Sequence, residues 1–160
     1  MILVALGANL NSRAGSPRET IRAALGSIAK RGVKVADVSR FYRSEAWPNP
    51  SDPPFVNAVA KIETELWPRE LLDVLHQVEA EFGRVRGEKN APRTLDLDLI
   101  DYDGKIVKGP LELPHPRLML RAFVLLPLRD VAPEWTHPVS GVSVFQAIAA
   151  LPPATIEVLP

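Results

Sequence analysis

Apolar runs and helix-spaced apolar residues follow one another in the order β-α-β-β-α-β through the first two thirds of this 160-residue chain, and a helical last third follows. This order predicts an α+β fold: a ferredoxin-like βαββαβ core, an antiparallel sheet packed with helices, plus a C-terminal helical extension. Two kinds of signal support it. Helix starts and stops are written in Ser16-Pro17-Arg18-Glu19, Gly32, Pro68 and Gly83, and prolines at 48, 50, 53 and 54 separate the two middle strands.

The elements follow in turn. Ile2–Leu6 is an apolar run stopped by Gly7 and followed by polar residues from Asn9 to Ser16. Ser16 is placed as an N-cap, with Pro17 at the first helical position and Glu19 closing a capping box. Ile21, Ala24, Leu25 and Ile28 then recur at helical spacing. Val33 and Val35, and one register on Val38 and Phe41, predict a second strand with an irregularity near Asp37. The prolines between Ser44 and Pro54 forbid a central strand there and stiffen a loop. Phe55, Val56, Val59, Ile62 and Thr64 predict the third strand. Leu71, Leu72, Leu75, Val78 and Phe82 form the apolar face of a second helix. A basic loop, Arg84–Arg93, leads into a fourth strand, Leu95–Tyr102. Asp103-Gly104 is a turn signal, with Lys105–Leu113 expected as the hairpin return. Helices are expected over Arg121–Val131 and Val142–Leu151. The whole of 1–160 reads as one domain.

Composition narrows the function. Hydrophobic residues are 46% and charged residues 24%, ordinary for a folded soluble domain. Nineteen Lys and Arg balance nineteen Asp and Glu, so net charge does not recommend a nucleic-acid or membrane partner, and an anion site must be a local cluster. The absence of cysteine excludes disulfides, thiolate nucleophiles and Cys-ligated zinc. The first apolar run is too short for a signal peptide or a membrane span, so the cytoplasm is the expected compartment. No phosphate-binding glycine loop of the G-x-x-x-x-G-K-[ST] kind, no G-x-G-x-x-G and no H-E-x-x-H is present.

The segment Arg93-Thr94-Leu95-Asp96-Leu97-Asp98-Leu99-Ile100 carries the strongest chemical signal. Strand alternation sends Leu95, Leu97 and Leu99 to the core and puts Asp96 and Asp98 on the other face, their Cβ atoms roughly 6.6 Å apart. Two such carboxylates repel by about 2–3 kcal/mol at an effective dielectric of 20. A divalent cation between them removes the repulsion, and oxygen donors suit Mg²⁺. Taken alone, the pair also fits the solvated face of an edge strand. Arg84, Arg86, Lys89 and Arg93 come immediately before it, and arginine forks match phosphate oxygens. Carboxylates for a metal beside cations for phosphates is the layout a Mg²⁺–polyphosphate requires. His115, Arg117 and Arg121 form a further basic group. Asn57 lies in a strand pattern where Asn is disfavoured, and its amide needs partners if buried. Phe55 and Phe123 read as core residues, with ring stacking as the alternative.

Together these residues resemble the 6-hydroxymethyl-7,8-dihydropterin pyrophosphokinase family. The likeness extends over nearly the whole chain. It rests on Arg93–Asp98, on Leu6-Gly7-Ala8-Asn9-Leu10, Phe41-Tyr42-Arg43-Ser44, Phe55-Val56-Asn57-Ala58, Gly83-Arg84-Val85-Arg86, Pro114-His115-Pro116 and Arg121-Ala122-Phe123-Val124-Leu125. The resemblance implies transfer of the β,γ-diphosphate of ATP, the co-substrate, to the pterin hydroxymethyl group, with release of AMP, in folate biosynthesis. It implies that Asp96 and Asp98 hold two Mg²⁺ ions and, with Arg84 and Arg93, form the catalytic group. Glu79, Arg84, Arg86, Arg93, Leu99, His115 and Arg121 would bind ATP, Leu99 through its backbone. Ser44, Glu45, Trp47, Phe55, Asn57 and Phe123 would bind the pterin, Asn57 reading the amide edge and the two Phe rings sandwiching it. The chain departs from the family pattern at Lys89-Asn90-Ala91, where no aromatic stands to close over the ligands. The expected partners are the pterin and ATP, with no obligate protein partner. Two other readings use the same residues: a Mg²⁺-dependent phosphohydrolase on the Asp pair, and a nonenzymatic RNA-binding module on the sheet. Aromatics at only 6% and Asp on the strand face disfavour the latter.

Overall fold

Strand β1 (Ile2–Ala8) lies between β4 (Phe55–Glu63) and β5 (Asp96–Tyr102) and runs antiparallel to both. The computed structural model describes residues 1–46, 48–84 and 92–160, so Trp47, Arg86, Lys89 and Asn90 lie outside the described residues. The sheet order is β5-β1-β4-β3-β6, where β3 is Tyr42–Ser44 and β6 is Ile156–Val158. Strand β2 (Lys34–Val38) pairs with the far half of β4. Counting β2 and β3 as one interrupted strand gives the antiparallel split β-α-β order that the sequence predicts.

Both faces of the sheet are covered. Helices α1 (Pro17–Lys30) and α2 (Pro68–Glu81) pack Ile21, Ile28, Leu71, Leu75 and Val78 against Ile2, Val4 and Leu6. On the other face, α3 (Ala122–Val131) and α4 (Val144–Ala149) bring Leu125, Leu128 and Val144 onto Leu3, Val59 and Ile100. This two-sided burial is why β1 reads as a continuous apolar run rather than an alternating one. The capping box at α1 is formed as expected: Ser16 Oγ accepts from the Glu19 N–H at 3.2 Å and Glu19 Oε1 accepts from the Ser16 N–H at 3.1 Å.

Two irregularities shape the strands. The β2–β4 register shifts between Val35 and Asp37, where the sequence breaks its alternation. The β1–β5 register slips between Leu3 and Val4, so that Leu99 faces Val4 but Asp101 faces Leu3. Ile100 is the extra residue of this bulge. Ile100 and Asp101 therefore share the α3 face, where Asp101 accepts from Trp135 Nε1 at 2.8 Å.

The hairpin return expected over Lys105–Leu113 is not a strand. The turn itself forms, with Asp103 and Gly104 both at positive φ (52° and 72°). Beyond it, Val107 and Leu113 bond only to each other, and the Ile100 carbonyl of β5 is taken by the His115 N–H at 2.9 Å. Pro110, which has no N–H, and Gly109 at φ 122° prevent a continuous ladder. The other correction is β6, a strand the sequence reading did not contain. Three residues show no periodicity, and only pairing with β3 makes them a strand.

Candidate active site

Antiparallel pairing brings the end of β1, the end of β3 and the beginnings of β4 and β5 to one edge of the sheet. A cavity of about 470 Å³ opens there, roofed by Leu120 and the first turn of α3. Its floor is set by one row of residues across three strands: Asn57 of β4, Gly7 of β1 and Asp96 of β5. At Gly7 in this row a larger residue would have to displace the Asn57 amide. A Cβ there would stand 2.8 Å from Asn57 Oδ1. The next row on the same face is Val59, Ala5 and Asp98. Small residues on β1 thus leave a trough between an amide on one side and carboxylates on the other.

The amide end of the cavity is lined by Ser44, Glu45, Phe55, Asn57 and Phe123. Alternation explains the grouping, since Ser44 pairs with Phe55 and Tyr42 with Asn57, all on the α3 face. Asn57 is buried and donates from Nδ2 to Ser44 Oγ at 3.2 Å. Phe123, at the start of α3, is 36% exposed, and Phe55 is half-buried. Neither ring belongs to the core, which corrects the default reading of both as core residues. Arg121 lies 5.5 Å from the centre of the Phe123 ring.

The charged end is lined by Arg93, Asp96, Asp98, Arg117 and Arg121. Asp96 accepts from Arg84 Nη1 at 2.5 Å and pairs with Arg93 Nη1 at 3.3 Å. Arg121 Nη1 stands 3.9 Å from Asp98. Burial, and then the neighbouring Asp96 charge, pushes the Asp98 carboxyl up to about 6, against the pull of Arg121. Behind this wall Glu79 is almost fully buried on α2. It accepts from Arg84 Nη1 at 2.6 Å and from the Leu97 N–H at 2.9 Å. Burial raises its pKa, while those two donors oppose the rise. His115 is half-buried in the segment beside β5. Burial, and then Arg121, lowers its pKa to about 4, so its imidazole is neutral at pH 7. Its Nδ1 accepts from the Arg117 N–H at 3.1 Å, which leaves the ring proton on Nε2. The Leu99 side chain is in the core, and its backbone belongs to β5, the terminal strand of the sheet order.

The structure therefore gathers Ser44, Glu45, Phe55, Asn57, Arg93, Asp96, Asp98, Arg121 and Phe123 around one cavity. It places Glu79 and Arg84 directly behind Asp96, and His115 and Leu99 along β5 outside the cavity wall. Arg84 and Arg93, expected as free cations for phosphate, are paired with carboxylates. Gly7, Ala5 and Arg117 are cavity residues that the sequence reading left out of the site. A glycine inside a strand was the available signal for Gly7. Asn9 is a fourth. Its Oδ1 accepts from the Arg93 N–H at 2.8 Å, and its Nδ2 donates to the Pro53 carbonyl at 3.1 Å, so it holds both loops that border the cavity.

Asp96 and Asp98 present hard oxygen donors on one face, and the elevated Asp98 pKa marks a place where a cation would relieve repulsion. Among the described residues no third His, Cys, Asp or Glu joins them as a metal ligand. The remaining positions on a magnesium ion would then fall to water and to substrate phosphates, the usual Mg²⁺ arrangement.

Fold and cavity together define a class: an α+β protein with a pocket suited to a flat ring and its amide edge at one end, and to a metal-bound polyphosphate at the other. The chain belongs to the 7,8-dihydro-6-hydroxymethylpterin-pyrophosphokinase (HPPK) family, whose model matches residues 3–133. A Pseudomonas aeruginosa protein named 2-amino-4-hydroxy-6-hydroxymethyldihydropteridine pyrophosphokinase is 41% identical over 161 residues, covering 99% of this chain and 96% of that one. A Synechocystis protein of the same name is 40% identical over 148 residues, 91% of this chain and 73% of that one. Among solved structures, a Plasmodium falciparum HPPK-DHPS chain with pteroate matches at a TM-score of 0.70 and 14% identity, over 92% of this chain. That likeness is one of fold, and this chain spans about two fifths of it, 42%. Among the described residues no helix is long and apolar enough to cross a membrane.

Proposed function

We propose that the cavity over Gly7 is where this chain performs its family's reaction, with the ring end for the pterin and the charged end for the phosphates. The chain is an ATP-dependent pyrophosphokinase: it transfers diphosphate from ATP to the hydroxymethyl group of 6-hydroxymethyl-7,8-dihydropterin in folate biosynthesis. The observation that carries the site assignment is the row Asn57–Gly7–Asp96, which sets an amide reader and a metal carboxylate on opposite sides of one residue without a side chain.

The cavity lining supports the following roles, and the family resemblance supplies those of Trp47, Arg86 and Leu99. Asn57, oriented by Ser44, meets the paired donor and acceptor of the pterin amide edge, and Phe55 and Phe123 flank the ring. Glu45 completes that end, and Trp47 is assigned to the same ligand on the family resemblance alone. Asp96 and Asp98 hold two Mg²⁺ ions, which when bound neutralise the phosphate oxygens and orient the reacting groups. With triphosphate present, Arg84 and Arg93 exchange carboxylate for phosphate oxygens, and Arg121 turns from Asp98 to the same anion. Glu79 keeps Arg84 in place. His115, neutral, donates from Nε2, Arg86 adds a further cation, and the Leu99 backbone on the β5 edge meets the adenine. The attacking hydroxyl and the β-phosphorus are brought together by binding at the two ends, so positioning is the main protein contribution. The reaction runs on the single domain 1–160, in the cytoplasm.

Product analysis tests the reading. With ATP, Mg²⁺ and the hydroxymethyl pterin, the expected nucleotide product is AMP, with both distal phosphates on the pterin. ADP as sole nucleotide product overturns diphosphate transfer. Equal ATP breakdown without pterin would instead identify a phosphohydrolase.

A further inference from the structure

We infer that β6 is a positioning element for the ring end of the cavity, acting through its main-chain ladder with β3. The inference rests on the assignment of that end to the pterin. Strand β3 is only three residues long and is followed by the proline-rich loop, yet it carries Ser44, the hydrogen-bond partner of Asn57, and leads into Glu45. With β4 alone it would be a short edge strand, the kind most easily displaced from its register. β6 covers that edge, pairing Tyr42 with Val158, Arg43 with Glu157 and Ser44 with Ile156.

The hydrogen bonds of this ladder can be assigned. The Leu159 N–H donates to the Phe41 carbonyl at 2.8 Å. Bonded pairs alternate in an antiparallel ladder, so the next bonded pair is Arg43 with Glu157, directly before Ser44. Glu157 Oε1 also accepts from Arg43 Nε at 2.7 Å. The segment is tied down beyond the strand, since Arg18 of α1 donates to the Pro160 carbonyl and lies 5.5 Å from the centre of the Phe41 ring. Helix α1 thus holds β6, β6 holds β3, and β3 holds Ser44. Among the described residues, the ladder partners of β6 are on β3 and none is a charged-end residue of the cavity. Residues 156–158 also lie past the part of the chain that the family model matches, 3–133. This support for the ring end comes from outside the segment that defines the family.

The test separates the two ends of the cavity by steady-state kinetics in the full chain, varying 6-hydroxymethyl-7,8-dihydropterin and ATP in turn. Glu157→Pro removes the main-chain donor to Arg43. It is expected to raise the KM for the pterin about fivefold, the equivalent of one net hydrogen bond of about 1 kcal/mol, with the KM for ATP within about twofold of the parent. Glu157→Gln keeps the N–H and removes only a half-exposed surface charge pair, so both KM values stay near the parent. Parallel rises in both KM values, or no change in either, overturn the inference. Should Glu157→Pro fail to fold, Leu159→Pro, which removes the bond to Phe41 at the other end of the ladder, is judged by the same outcomes. Asn57→Ala serves as the reference for the ring end. If Asn57→Ala raises the pterin KM and the proline variants do not, β6 is only structural. If Asn57→Ala leaves the pterin KM unchanged, it is the assignment of the cavity end that fails.

Discussion

Asp98 is the residue whose charge state says most about the site. Burial and the Asp96 charge push its carboxyl up to about 6 in the folded chain, above its ordinary value of 3.8. The folded state therefore holds a proton that the unfolded state gives up earlier. The resulting stabilisation is complete below about pH 4 and is lost as pH rises through 6. His115, lowered to about 4, acts in the opposite direction: its contribution is lost as pH falls from its ordinary 6.5 through 4. Comparing metal-free wild type with Asp98→Asn isolates the first effect. The variant is expected to be the more stable of the two at pH 7 and to lose that advantage by pH 4, read from urea unfolding in EDTA. It is also expected to lose about 100-fold or more in turnover at saturating Mg²⁺, on the scale of removing a transition-state charge partner. Gly7→Ala tests the opposite side of the trough. Its new Cβ meets Asn57 Oδ1 at 2.8 Å, so the Asn57 amide must shift. The pterin KM should rise with little change for ATP; an unchanged pterin KM would remove Gly7 from the floor of the site.

At the scale of elements, the loops matter more than the strands. The Arg93 N–H and carbonyl and the Pro53 carbonyl all converge on Asn9, just past the end of β1. Asn9→Ala removes the acceptor of the Arg93 N–H and the donor to the Pro53 carbonyl, a loss of about 0.5–1.5 kcal/mol for each hydrogen bond. Since Asn9 borders both loops, KM should rise for pterin and ATP together. A change confined to one substrate would show that the two loops are held independently. Most elements were legible in the sequence because their signals are local. Ser16, Pro17 and Glu19 write the start of α1, and the broken alternation near Asp37 marks a true register shift. Strand β6 and the fate of 105–113 were not legible, because each depends on which main-chain edge is already occupied.

For the whole molecule, the second helical layer determines whether the cavity has a roof, since α3 supplies Phe123 and its N-cap residue is Arg121. That layer is keyed to the sheet by two polar contacts: the buried Trp135 Nε1 to Asp101, and the partly buried Tyr42 hydroxyl to Asp130 at 2.9 Å. Trp135→Phe leaves one oxygen of the buried Asp101 without its donor, so a loss of about 1–3 kcal/mol is expected. In a chain of this length that lowers the melting temperature by roughly 2–4 °C per kcal/mol. Trp135 does not line the cavity, so both KM values should hold at temperatures where the variant is folded. A melting temperature equal to the parent's would show that the Asp101 contact does not key the layers.

The sequence by itself determined the order of elements, the inward leucines and outward aspartates of β5, and the family, because alternation, caps and a collinear set of motifs are properties of neighbouring residues. Only the tertiary structure decided that Gly7 and Ala5 form the floor and that Arg84 and Arg93 rest on Asp96. The same holds for Asn9 joining two loops and for β6 supporting Ser44. Each of these joins residues far apart along the chain, and their proximity is fixed by strand register and by competition for main-chain partners, which no local pattern encodes.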